Sequence, residues 1–299
     1  MSDQIHYNTC PICGQANWQP VFPVIDQLVS KQSFTLIECG QCRVRITQDA
    51  PGPAAAGAYY QSDEYISHSN TGRGLINQLY KLVRRRTLRQ KVKWVERALG
   101  RAGGRILDVG SGTGGFVSAL RRSGWRADGL EPDRTAREVA LRDFGISLMD
   151  ADQLTKLPAA EFDCITLWHV LEHVHDLNGY LQAFHRLLKP GGRLLLALPN
   201  HHSWDAHYFR QWWAAYDVPR HLYHFAPDSV RTLAARNGFT CVSLRPMWYD
   251  AFYIALLSHQ HQTGKSRWVS SIYVGLRSNL TTLFNRERGS SLIYELKPV

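Results

Sequence analysis

Two pairs of cysteines, Cys10-Pro-Ile-Cys13 and Cys39-Gly-Gln-Cys42, stand near the start of the chain. A CxxC turn presents two thiolates to one side of a metal ion, and two such turns facing each other give the tetrahedral all-sulfur set that structural zinc takes. Four thiolates leave no open coordination position, so zinc here would hold structure and not act on substrate. Gly14 and Gly40 flank the pairs where a tight turn needs a residue without a Cβ. Residues 33–38 alternate as a strand entering the second turn. The polar opening MSDQIHYNTC lacks the apolar stretch of a secretory signal, which places disulfides behind zinc and the protein in the cytoplasm. Cys164 and Cys241 lie in apolar surroundings and read as core residues.

A second chemistry begins at Asp108. Arg105-Ile-Leu-Asp-Val-Gly reads as the end of a buried strand, followed by a glycine-rich turn around Ser111 and a helix over 116–122. The glycines allow close approach of a ligand, and the helix start supplies amide hydrogens. Gly110, Gly112 and Gly115 satisfy the GxGxxG of dinucleotide sites, while Asp108, Gly110, Gly112 and Gly114 satisfy DxGxGxG. Asp108 decides between them: a carboxylate suits a cationic methionyl group and sits badly beside a pyrophosphate. The second strand ends at Gly-Leu-Glu131-Pro132, where an acid can accept hydrogen bonds from both ribose hydroxyls. A third strand over 146–149 leads to Asp150-Ala151, placed for an adenine. The fourth, 162–169, ends at Trp168-His169 and runs into Val-Leu-Glu172-His173. A helix to 188 and a fifth strand over 193–198 follow, an alternation that marks a parallel α/β sheet.

ILDVGSGTGGF, GLEPD, FDCITLWHVLEHVHD and LKPGGRLLLALPN, in this order and spacing, resemble the class I S-adenosylmethionine (AdoMet)-dependent methyltransferases over about residues 105–200. The ubiquinone-biosynthesis O-methyltransferase type is nearest in flavour. The resemblance implies a Rossmann-like α/β fold with seven strands, mostly parallel, the last antiparallel. It implies AdoMet as cofactor, with Asp108, Gly110, Ser111, Gly112 and Gly114 around the methionyl part. Glu131 and Pro132 then serve the ribose, Asp150 and Ala151 the adenine, and Trp168 lies alongside. The rest fits that plan, with a helix over 227–237, a sixth strand over 239–245 and a seventh over 291–297. The double CxxC also resembles zinc-binding modules preceding this domain in some sugar C-methyltransferases.

Ligands in open α/β sheets sit beyond the carboxyl ends of the strands, so insertions there should carry the methyl acceptor. Residues 201–225 hold five histidines and eight aromatics in 25 positions, a density that suits a lid with apolar bodies and polar tips. The stretch YDVPRHLYHF within it resembles one that follows the fifth strand in members of this superfamily. Methyl transfer needs the nucleophile, methyl and sulfur in line, and a base when the nucleophile carries a proton. His169, His173 and His221 are the candidate bases. Tyr216, Arg220 and His221 are the candidate acceptor contacts, Arg220 for an anionic group. Set against these readings, histidines at such positions also serve as packed structural residues, and the lid histidines show no recognisable metal-ligand spacing.

These groups must be positioned by a chain of 299 residues that is 44% hydrophobic and 20% charged, enough for one large α/β domain with an accessory piece. Residues 1–50 read as a zinc-ribbon-like module and 51–100 as a linker with a basic amphipathic helix. Residues 101–299 read as the methyltransferase domain, with insertions at 201–226 and 246–290. The second insertion adds helices that cap the pocket or form a homodimer face. Its apolar stretch 247–257 is short and holds Asp250, so it reads as a buried or interfacial helix, with membrane-surface contact the lesser alternative, and not as a membrane span. Net charge is +10, and Lys81, Arg84, Arg85, Arg86, Arg89, Lys91 and Lys93 share one helix with an apolar stripe from Leu75 to Leu99. That face is a solvated surface or an anion contact. The leading reading is a methyltransferase for a small, anionic acceptor at oxygen or carbon, such as a nucleotide-linked sugar. RNA methylation gripped by the zinc module and basic helix is the alternative, weakened by the lack of an Asn/Asp-Pro-Pro-Tyr/Phe tetrapeptide. A zinc-ribbon interaction protein without activity is a further one, opposed by the intact Asp108, Gly110, Gly112 and Glu131. A nicotinamide dehydrogenase is disfavoured by Asp108.

Overall fold

Alternating burial in the first fifty residues and unbroken burial beyond residue 105 produce two kinds of sheet. The computed structural model describes residues 3–60 and 75–299, with side chains of the helix that starts at Leu75 described from residue 86 onward. Gln61–Ser–Asp–Glu–Tyr65 and the side chains of Leu75, Leu79, Lys81, Leu82, Arg84 and Arg85 lie outside the described residues.

The first sheet is antiparallel. Short β1 (Gln4–Ile5) pairs with β5 (Ala50–Pro51), while β2 (Trp18–Ile25), β3 (Ser33–Cys39) and β4 (Arg45–Thr47) form a meander. In β3, Phe34 and Leu36 turn inward and Ser33 and Thr35 outward, as a strand with one wet face requires. The fourth strand of this sheet comes from far along the chain: β10 (Tyr223–His224) pairs with β4.

The second sheet holds β6 (Arg105–Val109), β7 (Arg126–Leu130), β8 (Phe162–Trp168), β9 (Leu188–Pro199), β11 (Phe239–Pro246) and β12 (Ser291–Pro298). Their order is β11-β12-β9-β8-β6-β7. β12 is antiparallel to both neighbours and the others run parallel. Every residue of β8 is buried, because helices cover both faces. Successive residues of β6 and β8 serve opposite cores. Ile106 and Cys164 pack with Val92, Val95, Phe116 and Leu120; Leu107, Val109, Ile165 and Leu167 pack with Leu181, Phe184 and Leu233. The second core also contains Cys10, Ile12, Cys39, Cys42 and Ile46, so the cysteine turns rest against the large sheet.

The helices are α1 (Pro53–Ala56), α2 (Leu75–Leu99), α3 (Gly115–Arg122), α4 (Arg134–Phe144), α5 (Leu177–Leu187), α6 (Trp204–Phe209), α7 (Pro227–Arg236), α8 (Asp250–Thr263) and α9 (Trp268–Phe284). Side-chain caps fix several starts: Asp133 accepts from the Thr135 amide at 2.8 Å and Asp176 from the Gly179 amide at 2.9 Å. The expected third strand over 146–149 contributes one parallel bridge, Met149 to Leu130, so the sheet has six strands and that bridge. The Ile146 amide is tied back to Ala140 of α4 at 3.3 Å, and Asp150 opens the next turn. Only Met149 is left to reach the sheet edge.

Candidate functional site

Strand β6 carries Asp108 to the carboxyl edge of the sheet, and the chain then enters the left-handed region at Gly110, Gly112 and Gly114. A side chain at 110 would strike Val170 at 2.3 Å, whereas one at 112 would meet nothing within 4 Å. The Gly112 backbone thus faces open space, and two acids flank it. Asp108 is buried and accepts the Thr166 hydroxyl at 2.7 Å. Burial pushes its carboxyl up to about 6, against that hydrogen bond and the charge of Lys91. Glu131, at the end of β7, accepts the amides of Gly112 at 2.7 Å and Asp133 at 3.0 Å. Burial raises its pKa as well. Each of its oxygens keeps a lone pair for another donor. Ser111 closes the turn by donating to the Asp108 carbonyl at 2.8 Å. Further along the edge, Arg137 holds the Pro132 carbonyl at 2.7 Å and Asp150 at 2.8 Å, beside Ala151.

Opposite this turn, Trp168 stacks on Trp94 and meets Phe116 edge-on. The Lys91 ammonium lies 4.4 Å above its ring, a cation–π contact. The Trp168 Nε1 donor is buried with no hydrogen-bond partner, an expensive condition unless a ligand accepts it. Burial holds Lys91 down to about 8, opposed by Asp108 and Asp250.

Beyond Trp168 the character changes. His169 adopts a φ of 58°, a costly conformation for a side-chain-bearing residue. Its ring lies between Glu172 at 3.5 Å and Asp250 at 3.3 Å. Desolvation opposes its charge, yet those two carboxylates raise it to about 9, so it is an imidazolium at neutral pH. His173 is the reverse: burial and the neighbouring His221 depress it to about 4. Its Nδ1 lies 3.1 Å from the Arg220 carbonyl and 3.0 Å from the Tyr60 hydroxyl. The His221 Nδ1 lies 2.9 Å from the Ala215 carbonyl. A carbonyl only accepts, so both Nδ1 atoms carry a proton, and the depressed pKa of His173 leaves a lone pair on its Nε2. Glu172 is fully buried, and neither carboxylate oxygen has a hydrogen-bond partner. One ligating atom from each of Glu172, His173 and His221 falls within 4.8 Å of the others. This cluster can take a proton into a buried imidazole–carboxylate unit, and its donor types also suit a divalent cation.

The four cysteine sulfurs converge, with Cys10–Cys42 at 3.6 Å, Cys13–Cys39 at 3.4 Å and all four within 4.8 Å. Sulfurs bound tetrahedrally to zinc sit about 3.8 Å apart, so the set fits. In the first turn Gly14 takes the left-handed position. In the second it is Arg43 (φ 65°) and not Gly40. Gly40 is needed for a different reason, since a Cβ there would meet the Asn17 side chain at 2.7 Å.

Three of the expectations fall on residues already engaged within the fold. Residues 201–226 do not form a cover: most are buried, wedged between the two sheets by Thr47, which donates through its amide to the Leu222 carbonyl at 3.0 Å and through its hydroxyl to the His221 carbonyl at 2.7 Å. Tyr216 is buried and its hydroxyl accepts Arg45 at 2.6 Å. Arg220 spends its guanidinium on Asp217 at 2.6 Å, Asp26 at 3.0 Å and the Tyr59 carbonyl at 2.9 Å. It fastens the wedge to the first sheet. Of the five histidines in 201–225, His201 and His224 face Arg43 and Thr47, His207 bonds its own helix, and only His221 joins the cluster.

Lys91, Glu172 and Asp250 were not singled out from the sequence. Lys91 had a signal: it lies three residues after Leu88 and four before Val95, on the edge of the buried stripe. Asp250 had one too, as the single acid in an apolar stretch.

A family model described as a methyltransferase domain matches residues 82–244. The ubiquinone biosynthesis O-methyltransferase of Pseudomonas aeruginosa (strain UCBPP-PA14) is 31% identical over 117 residues, 37% of this chain and 50% of that protein. The chain thus spans about half the length of the curated relatives it matches. Among solved structures, the magnesium protoporphyrin IX methyltransferase of Synechocystis superposes with a TM-score of 0.52 at 15% identity, covering 81% of this chain and 97% of that one. The geranyl diphosphate C-methyltransferase of Streptomyces coelicolor gives 0.51 at 17% identity, covering 78% and 88%. At such identities the likeness is one of fold.

Proposed function

The chain belongs to the methyltransferase-domain family, and from that premise we propose that it transfers a methyl group from AdoMet to a hydroxyl or carbon centre of a small, anionic metabolite. A nucleotide-linked sugar is one such acceptor. The observation that carries this reading is the pair of buried acids, Asp108 and Glu131, on either side of a glycine turn that opens onto space. Charge complementarity supports the fit. Asp108 would take the methionyl ammonium, Lys91 its carboxylate, Glu131 the ribose hydroxyls, and Asp150 with Ala151 the adenine edge. Bound AdoMet supplies an electrophilic methyl on a sulfonium.

The protein's task is then to align the acceptor and remove its proton. His169, charged at neutral pH, is unsuited to that role; its imidazolium instead joins Glu172 to Asp250 and so anchors α8 to the site. His173, whose charge burial opposes, is neutral and presents an Nε2 lone pair beside His221. The acceptor proton passes to one of these imidazoles, and the Glu172 carboxylate compensates the new charge. In the same reading, Cys10, Cys13, Cys39 and Cys42 hold a structural zinc, remote from the chemistry.

Calorimetric titration with AdoMet and, in parallel, NADH tests the proposal. Micromolar AdoMet binding lost in the Asp108→Ala, Glu131→Ala double variant is the expected result. A folded, zinc-loaded protein that binds no AdoMet would overturn it.

A further inference from the structure

Helix α9 is turned inside out. Its buried side is made of small and polar residues, Ser271, Val274, Gly275, Ser278 and Thr282. A Cβ on Gly275 would meet the Phe252 ring of α8 at 2.4 Å, so the two helices lie against each other on this lean side. The bulky apolar residues face outward: Val269 (83% exposed), Ile272, Tyr273, Leu276, Leu283 and Phe284 (84% exposed). At 100° per residue these six fall within about 120° of arc, one continuous stripe roughly 25 Å long. Beside it lies a shallow apolar depression of about 570 Å³ lined by Trp248, Leu276, Asn279, Leu280 and Leu283. An apolar surface of this extent on one element marks a face that something else covers.

We propose that this face docks on an anionic lipid bilayer, with α9 lying in the interfacial plane. Charge identifies the occupant. From Gly264 to Asn285 the chain has Lys265, Arg267 and Arg277 and no acidic residue, and the whole protein is strongly cationic. Basic residues bordering an apolar stripe, with Tyr273 on it and the exposed Trp268 at its edge, are the composition of a helix that inserts at the headgroup boundary. A second copy is the weaker partner, because a two-fold contact would set these cations against their own equivalents. Among the described residues no helix is long and apolar enough to cross a membrane, so the attachment lies on the surface. The inference is independent of methyl transfer, since none of the outward-facing residues Val269, Ile272, Tyr273, Leu276, Leu283 and Phe284 is among those assigned to AdoMet or the acceptor.

The full-length, zinc-loaded protein should co-sediment with vesicles of equimolar phosphatidylglycerol and phosphatidylcholine, and much less with phosphatidylcholine alone. The exposed double variant Leu276→Glu, Leu283→Glu should weaken that binding at least about tenfold while leaving AdoMet affinity and the melting temperature unchanged. Salt at about 0.5 M should weaken it too. Failure to bind the anionic vesicles would overturn the proposal. So would a dimer that the same double variant dissociates in the absence of lipid, which would give the face to a second copy.

Discussion

The two walls of the site are built on opposite electrostatic principles. On the wall we assign to AdoMet, Asp108 and Glu131 are acids whose charge burial opposes, held at the ends of adjacent parallel strands. On the wall we assign to the acceptor, Glu172 is buried too, yet its pKa is lowered, because the neighbouring His169 imidazolium outweighs desolvation. The first wall stores an unmet demand for positive charge, and the second is nearly self-neutralised. A wall with unmet demand gains most from binding a charged cofactor. A balanced wall can accept a proton with little rearrangement.

Zinc removal should separate the walls most sharply. The segment carrying His221 is bonded to β4, so stripping the cysteine site is expected to abolish turnover while AdoMet still binds. Metal analysis should find one zinc per chain; a second ion, lost in Glu172→Gln, would make the acceptor cluster a metal centre and displace the imidazole base. Next in size, Glu172→Gln and His173→Asn should lower kcat by about 10²–10⁴ with AdoMet affinity intact. Parallel losses in both quantities would mean that the walls are not separable. Asp108→Asn should weaken AdoMet binding by roughly 10–100-fold. Because burial already disfavours that charge, the melting temperature should hold or rise, the reverse of what a structural ion pair would give. Lys91→Met should cost about tenfold in AdoMet affinity, read by the same titration.

The smallest effect is on stability against pH. His169 has a raised pKa, so its contribution is full below about pH 6.5 and is lost as pH rises through about 9. His173 has a depressed pKa, so its contribution is present above about pH 6.5 and is lost as pH falls through about 4. Melting temperature should therefore fall on both sides of a plateau. His169→Gln should flatten only the alkaline fall and His173→Asn only the acid one.

The cofactor wall was legible in the sequence because Asp108, the glycines and Glu131 belong to consecutive strand–turn–helix units, where spacing along the chain fixes spacing in space. The other wall draws on the turn after β8, α8 and the wedge, whose meeting is a tertiary fact. Asp250 and His169 are 81 positions apart, yet their side chains lie 3.3 Å apart. Arg220 illustrates the cost: its composition suggested an anion contact, and only the position of Asp26, in the first sheet, shows the guanidinium already satisfied. Gly40 shows the same on a small scale. The glycine was readable, but its reason lay in Asn17 and not in its own torsion angles.

The pairing of β10 with β4 has an evolutionary corollary. Two residues next to the acceptor histidine form the outer strand of a sheet whose other members lie in the first fifty positions. The wedge and the cysteine-bearing sheet are therefore one structural unit. A relative's 201–226 segment grafted alone would bring a strand whose partner edge had not changed with it. Recombination that keeps this pairing intact must exchange the two segments together.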